Sequence, residues 1–401
     1  MRPFTSTISF SDALRLTLEA VIPIERRETV LVRQADGRVL ACDVTAAVDV
    51  PPFDRAAMDG YAVRSVDTAG ATSEAPRALR CRSRIFAGEV SRQVVEPGEC
   101  AEIATGAPLP PGTDAVVMVE DTSSEGGTVL VRVPAAPRQN VGARAGDLAA
   151  GSVVARAGRA LTPAMIGALS AGGVEAVEVY ARPTVALVST GNEIVEPGRA
   201  LGPGQIYDVN RRTLGALVER HGGRAVPLSG AGDSIDELGA VLTRACTHDI
   251  VVFSGGSSVG NRDMVLDVLR ARGEVAYHGI AVKPGKPTAF ARVGGVPVFG
   301  MPGNPTSCLS NGYLLLVPFL RRVARLPAWE PRVVELPLAR AIRSSADRHQ
   351  FFTVRIEDGR VEPAFKGSSA ITSMADADGY VEIAAGTSEI AAGTLVRVTI
   401  F

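Results

Sequence analysis

Neither charge dominates this sequence: 42 Lys and Arg stand against 43 Asp and Glu, a formal net charge of -1. With no basic excess to displace counterions from a phosphate backbone, nucleic acid is not an expected partner. Aromatic residues are scarce, at 5% of the chain. No apolar stretch approaches the roughly 20 uninterrupted residues that a bilayer span needs. Behind the opening Met1-Arg2-Pro3-Phe4-Thr5 no export signal is visible, so a cytoplasmic protein away from membranes is expected. Cysteine is sparse too. Cys42, Cys81, Cys100, Cys246 and Cys308 are odd in number and widely separated, with no C-x-x-C pair. That argues against zinc or a disulfide framework and reads as free thiols in a reducing compartment.

What the chain has in plenty is glycine (42) and proline (26) over a length of 401 residues. Single cores stop growing at about 250 to 300 residues, so several domains are expected, built from short elements and tight turns. Ser11 to Val21 carries Leu14, Leu18 and Val21 at helical spacing, with Ser9 or Ser11 as its cap. Val30 to Val44 alternates around Ala35-Asp36-Gly37 and predicts a hairpin. Short strands such as Ala115 to Val119 and Val129 to Val133, set between Gly and Pro clusters, predict a small β domain over 51–139. It interrupts a parent region formed by 1–50 and 140–180, where Thr162-Pro163 marks a helix start.

Strands and helices alternate from 181 to 326. Val185 to Val188, Ala225 to Leu228 and Ile250 to Phe253 read as strands, and helices start at Asn210 and Ser234. A parallel sheet with helices on both faces follows, with ligands expected where loops leave the strand ends. After an apolar helix near Asn304 to Leu320, the Pro327 and Pro331 region marks a boundary before a small β domain at 327–401.

Three loops of the α/β domain stand out. They are Ser189-Thr190-Gly191-Asn192-Glu193, Ser254-Gly255-Gly256-Ser257-Ser258-Val259-Gly260 and Pro302-Gly303-Asn304-Pro305. Each alone reads as an ordinary tight turn. Three on one sheet favour a phosphate site, because glycines admit close approach and helix starts add positive dipole. Glu193, Asp233 and Asp263 accompany them, and Mg²⁺ takes one or two carboxylates with phosphate oxygens. Asp233 fits helix capping equally well, and Asp263 fits a favourable dipole contact. Lys283-Pro284-Gly285-Lys286-Pro287 holds two ammonium groups on a stiffened chain, suited to an anion or to a solvated turn. The stretch Pro51-Pro52-Phe53-Asp54-Arg55-Ala56-Ala57-Met58-Asp59-Gly60-Tyr61-Ala62 reads on physical grounds as a domain junction with buried Met58 and Tyr61.

Taken in order, these motifs resemble the molybdopterin molybdotransferases over nearly the whole chain. The resemblance implies a multidomain α/β plus β protein. A central three-layer α/β molybdopterin-binding domain would sit between an elongated N-terminal α+β region carrying a β insertion and a C-terminal small β barrel. It implies a homodimer that inserts molybdate into adenylylated molybdopterin with Mg²⁺-dependent release of AMP, served by an upstream adenylyltransferase. By motif position, Asp59, Asp147, Asp263 and Lys283 would be catalytic, and Glu193, Asp233 and Asp263 would hold the metal. Thr105, Ser189, Gly191, Ser254, Gly255, Gly256, Ser257, Ser258, Lys286, Pro302, Gly303, Asn304, Pro305 and Ser368 would bind the substrate, with Ser373 an alternative to Ser368. Asp59, Thr105 and Asp147 would reach the cleft from the partner subunit, with proton exchange as the role for Asp59.

Two stretches depart from the family pattern. His278-Gly279 stands where many relatives carry a basic residue, and Phe351-Phe352-Thr353 leaves Arg348 and Arg355 out of register. They keep open a divergent paralogue acting as an adenylyltransferase or a cofactor-binding scaffold.

Overall fold

The computed structural model describes residues 7–229, 234–255 and 264–401, which divide into two units, residues 1–28 with 180–401 and residues 29–179. In the first unit, Thr184–Ser189 is buried at every position after its first, and Ile250–Ser254 is buried throughout. Strands of that kind need cover on both faces. Val185 and Leu187 pack on one face with Leu214 and Leu217, and Ala186 and Val188 pack on the other with Leu238, Leu242 and Leu269. The period-two alternation of the strand thus meets the helix Asn210–Arg220 on one side and the helices Ile235–Ala245 and Met264–Arg272 on the other, giving three layers.

The strand order is Arg224–Pro227, Thr184–Ser189, Ile250–Ser254, Val296–Met301, Ala289–Val293 and Glu274–His278. Neighbours among the first four run parallel, but the last two strands are antiparallel. This corrects the all-parallel expectation. Gly294-Gly295, both at positive φ, form a two-residue turn that returns the chain directly alongside itself.

Caps fall where polar residues precede apolar periodicity. Ser9 accepts the amide of Asp12 at 3.1 Å ahead of Phe10–Glu19, and Ser234 accepts that of Glu237 at 3.2 Å. The long apolar helix is interrupted. Pro305–Asn311 and Val317–Val323 flank a π turn at Gly312–Leu316, one residue short of Pro318, whose missing amide leaves no ordinary helical bond to make.

The C-terminal sheet is built from Val333–Pro337, His349–Glu357, Gly379–Ile383 and Leu395–Ile400, with Arg360–Pro363 beside His349–Glu357. Its outermost strand is the dipeptide Val282–Lys283, which pairs parallel with His349 and Gln350. Val354, Val361, Val381 and Val398 form its core.

In residues 29–179 the insertion is a six-stranded sheet ordered Ala115–Met118, Gly60–Val63, Glu99–Ile103, Arg77–Ile85, Thr128–Val131 and Thr122–Glu125. A side chain at Gly60 would put its Cβ 1.9 Å from the carbonyl oxygen of Val117, so that close approach requires glycine. Elsewhere in the unit the expected hairpin around Gly37 does not form. The turn exists, with Gly37 at φ 69°, but Arg27–Leu31 pairs with Ala176–Tyr180 and Val44–Thr45 with Val153–Ala155. Burying Val32 and Leu40 against Leu161, Leu169 and Val179 decides the pairing over local sequence. The helix after Thr162 does form as read, over Pro163–Ala171. Among the described residues no helix is long and apolar enough to cross a membrane.

One buried group in the α/β unit makes stability pH-dependent. His221, 4% exposed and edge-on to Trp329, has no hydrogen-bond partner at either ring nitrogen. Burial, helped by the nearby Arg321 and Arg220 charges, depresses its pKa to about 4. A base depressed when folded takes its proton more readily when unfolded, so its contribution is intact above pH ~6.5 and lost as pH falls toward 4, by about 3 kcal/mol in full. Denaturant unfolding between pH 7 and 4 is expected to show this loss. In His221→Leu the same limb should flatten, and an unchanged pH dependence would refute the assignment.

Candidate functional site

A cleft of about 1020 Å³ opens at the carboxyl ends of the parallel strands, where open α/β sheets place their ligands. Its size is at the upper end for small-molecule sites, with room for a two-part ligand. Ser189, Glu193, Ser254 and Gly255 line it from two strand ends, Pro302, Gly303, Asn304 and Pro305 from a third, and Lys283 and Lys286 from the proline-flanked loop. Ser368 and Arg348 enter from the C-terminal β domain. Gly191 lies between Thr190 and Glu193 at φ 126°. Asp233, Gly256, Ser257, Ser258 and Asp263 lie outside the described residues.

Three backbone amides at or beside these loops join one segment to another. Thr190 N–H donates to the Ser254 carbonyl (3.0 Å), Gly255 N–H to that of Met301 (3.2 Å) and Thr306 N–H to that of Ser368 (3.0 Å). Asn304 caps the helix Pro305–Asn311 without a side-chain cap bond. Its amide donates instead to the Ser368 hydroxyl at 3.1 Å, and the Thr306 hydroxyl donates to the Ala370 carbonyl at 2.8 Å. The third loop is therefore where the C-terminal domain docks.

The lysine loop is braced from beneath. Asn311, fully buried in its helix, donates to the Gly285 carbonyl (3.0 Å) and the Thr288 hydroxyl (2.6 Å), and Thr288 donates to the same carbonyl (2.8 Å). Lys283 Nζ donates to Ser345 Oγ at 2.9 Å.

Among the described residues, charge in the cleft leans positive. Lys283, Lys286 and Arg348 line it against two carboxylates among the described residues, Glu193 and Asp208. Asp208, 2% exposed, is matched by Arg211, whose Nε lies 2.9 Å away. The surplus suits a multiply charged oxyanion or phosphate. Glu193, which lines the cleft, is the donor type Mg²⁺ takes alongside phosphate oxygens. Cys308, wholly buried, has its thiol pushed far up by burial, which removes it as a nucleophile.

Arg348 was legible in the sequence only as a residue out of register. The structure delivers it by a tight turn, in which its own amide donates to the Ser345 carbonyl (3.3 Å). His278 is not among the residues lining the cleft. It sits on an edge strand opposite Ala289.

A second polar cluster belongs to residues 29–179. Asp59 accepts the Thr105 amide (2.7 Å) and hydroxyl (3.0 Å), which hold its carboxyl below the ordinary range, the amide contributing most. Asp54 accepts the Arg138 guanidinium and the Arg144 amide, and lies at about 2 for the same kind of reason. Asp54 thereby ties the stretch before Asp59 to the one carrying Asp147, whose amide bonds to Val50. Arg138, Asn140 and Ala145 in that second stretch all have positive φ, a strain that polar knots of this kind sustain. Tyr61 is buried as expected, but Met58 is 47% exposed, beside exposed Phe53 and Val119.

A cleft at the strand ends of a three-layer domain, lined by three cations and bordered by residues of the C-terminal β domain, is a site suited to an anionic small molecule. Comparison with known proteins then places the chain. Residues 8–173 match the MoeA N-terminal region (domains I and II), 186–322 a probable molybdopterin binding domain, and 335–401 the MoeA C-terminal region (domain IV). Molybdopterin molybdenumtransferase 2 of Mycobacterium tuberculosis is 36% identical over 384 residues, 92% of this chain and 94% of its own. The Nostoc molybdopterin molybdenumtransferase is 33% identical over 373 residues, covering 90% and 86%. The crystal structure of the Pyrococcus horikoshii molybdopterin biosynthesis MoeA protein superposes with a TM-score of 0.82 at 39% identity, covering 98% of this chain and 99% of that one. The chain belongs to the MoeA family.

The Asp59 geometry gives a direct test. Thr105→Val removes one of two donors, so a carbon-13 titration of the Asp59 carboxyl is expected to move its pKa part of the way back up, the amide still holding it down. No movement would mean the hydroxyl bond contributes nothing.

Proposed function

We propose that the chain is a molybdopterin molybdenumtransferase of molybdenum cofactor biosynthesis, inserting molybdate into adenylylated molybdopterin with Mg²⁺-dependent release of AMP. The observation that carries this reading is the gathering of Lys283, Lys286 and Arg348 around one cleft with Glu193 and the hydroxyls of Ser189, Ser254 and Ser368, in a chain of this family.

Lys283, Lys286 and Arg348 neutralise the molybdate dianion and the phosphates, the arginine offering a planar fork of donors. Hydroxyls of Ser189, Ser254 and Ser368 orient the phosphate oxygens. Glu193 would hold Mg²⁺, with Asp233 and Asp263 as the further ligands by motif position. When bound, the ion neutralises charge on the pyrophosphate link. Water adds across that link, leaving AMP and the phosphate of the pterin. Gly256, Ser257 and Ser258 complete the phosphate site by the same reasoning.

Asp59, Thr105 and Asp147 act at the cleft from the partner subunit of a homodimer. The exposed apolar side chains Phe53, Met58 and Val119 around Asp59 support a second copy covering that surface. The Thr105 amide and hydroxyl lower the Asp59 carboxyl pKa in the free protein. An arriving dianion raises the carboxyl pKa by like-charge repulsion, so proton exchange with an oxo group is tied to molybdate arrival. The activated pterin comes from an upstream adenylyltransferase.

Purified protein with Mg²⁺ is expected to release AMP from adenylylated molybdopterin in a molybdate-dependent manner. Lys283→Met and Asp263→Ala should each reduce this by roughly 10²-fold, the scale of losing one preorganised electrostatic contact. Release that ignores molybdate, or adenylylation of molybdopterin from ATP in its place, would overturn the reading.

A further inference from the structure

We propose that Ser345 is a positioning residue for Lys283, holding its ammonium over the cleft from the C-terminal domain; the inference rests on Lys283 being an oxyanion-binding group. A lysine side chain is a point charge on four rotatable carbons, and fixing it costs conformational freedom at the moment of binding unless that freedom is already spent. Here it is spent by one bond, from Lys283 Nζ to Ser345 Oγ at 2.9 Å. An ammonium has three donors, so two stay available to a ligand, and the serine keeps its own proton to donate onward.

Ser345 is itself held. Gln350, 1% exposed and the direct cross-strand partner of Lys283, accepts the Ser345 amide (3.4 Å) and the Ser344 hydroxyl (3.0 Å) through one oxygen. The Ser344 amide donates to the Ser388 carbonyl (2.8 Å), which pins the turn from its other side. The same turn ends at Arg348, whose Nε pairs with Asp347 at 3.0 Å. One rigid turn thus orients a lysine it does not contain and presents an arginine it does. A serine with a solely structural role would have no reason to face the ammonium of a cleft lysine.

Equilibrium binding of molybdate to the full-length protein, with steady-state kinetics and melting temperature measured in parallel, tests this on wild type, Lys283→Met, Ser345→Ala and Ser345→Thr. The expected result is weaker molybdate binding in Ser345→Ala by about 3- to 10-fold, the scale for re-immobilising one long side chain. KM for molybdate should rise with it, while the melting temperature stays near wild type. Ser345→Thr, which keeps the hydroxyl, should restore binding. Tight binding by wild type and by Lys283→Met alike would remove the oxyanion role of Lys283, and the inference with it. Binding lost in Lys283→Met but unchanged in Ser345→Ala would overturn the inference alone. Equal weakening in both Ser345 variants with a lowered melting temperature would show a structural role and overturn it as well.

Discussion

A two-residue strand pairing holds the site together. Val282 and Lys283 leave the α/β domain's chain path to pair with His349 and Gln350 at the edge of the C-terminal sheet. Backbone hydrogen bonding fixes register absolutely, since a slip of one residue would turn Lys283 to the opposite face. Beside that pairing, the Lys283 bond to Ser345 and the Asn304 bond to Ser368 make two further contacts between the α/β loops and the C-terminal domain. The C-terminal domain is a wall of the cleft.

Placed in this way, the site divides its labour between backbone and side chains. Three amides, those of Thr190, Gly255 and Thr306, join one segment to the next. Among the described residues, three cations, two carboxylates and a set of hydroxyls line the cleft. Such groups act in a partly enclosed space, where fixed charges count for more than in water. Buried Asn311 and Gln350 serve the same end at one remove, the Asn311 Nδ2 donating into the lysine loop and the Gln350 Oε1 accepting from its partner turn.

Much of this was legible in the sequence where local chemistry decides structure. Caps at Thr162 and Ser234 and the fully buried strands around Val185 and Val251 follow from side-chain type and spacing, and form as expected. The loops at Ser189, Lys283 and Pro302 could be picked out by composition, and they do line one cleft. What failed depends on distant partners. The turn at Gly37 forms without its hairpin, because the two arms bury Val32 and Leu40 against residues more than a hundred positions away. Met58 reads as a core residue by hydrophobicity and stands exposed beside Asp59. Arg348 and Ser345 carry no local signal, since their place follows from a strand pairing between two domains.

Anomalous diffraction from crystals soaked in tungstate, a dense oxyanion of near-identical shape to molybdate, tests the central claim most directly. The account predicts a tungsten peak in the cleft within hydrogen-bonding reach of Lys283, Arg348 and Ser368, and its loss in Lys283→Met. A peak elsewhere on the molecule, with the cleft empty at saturating tungstate, would contradict it.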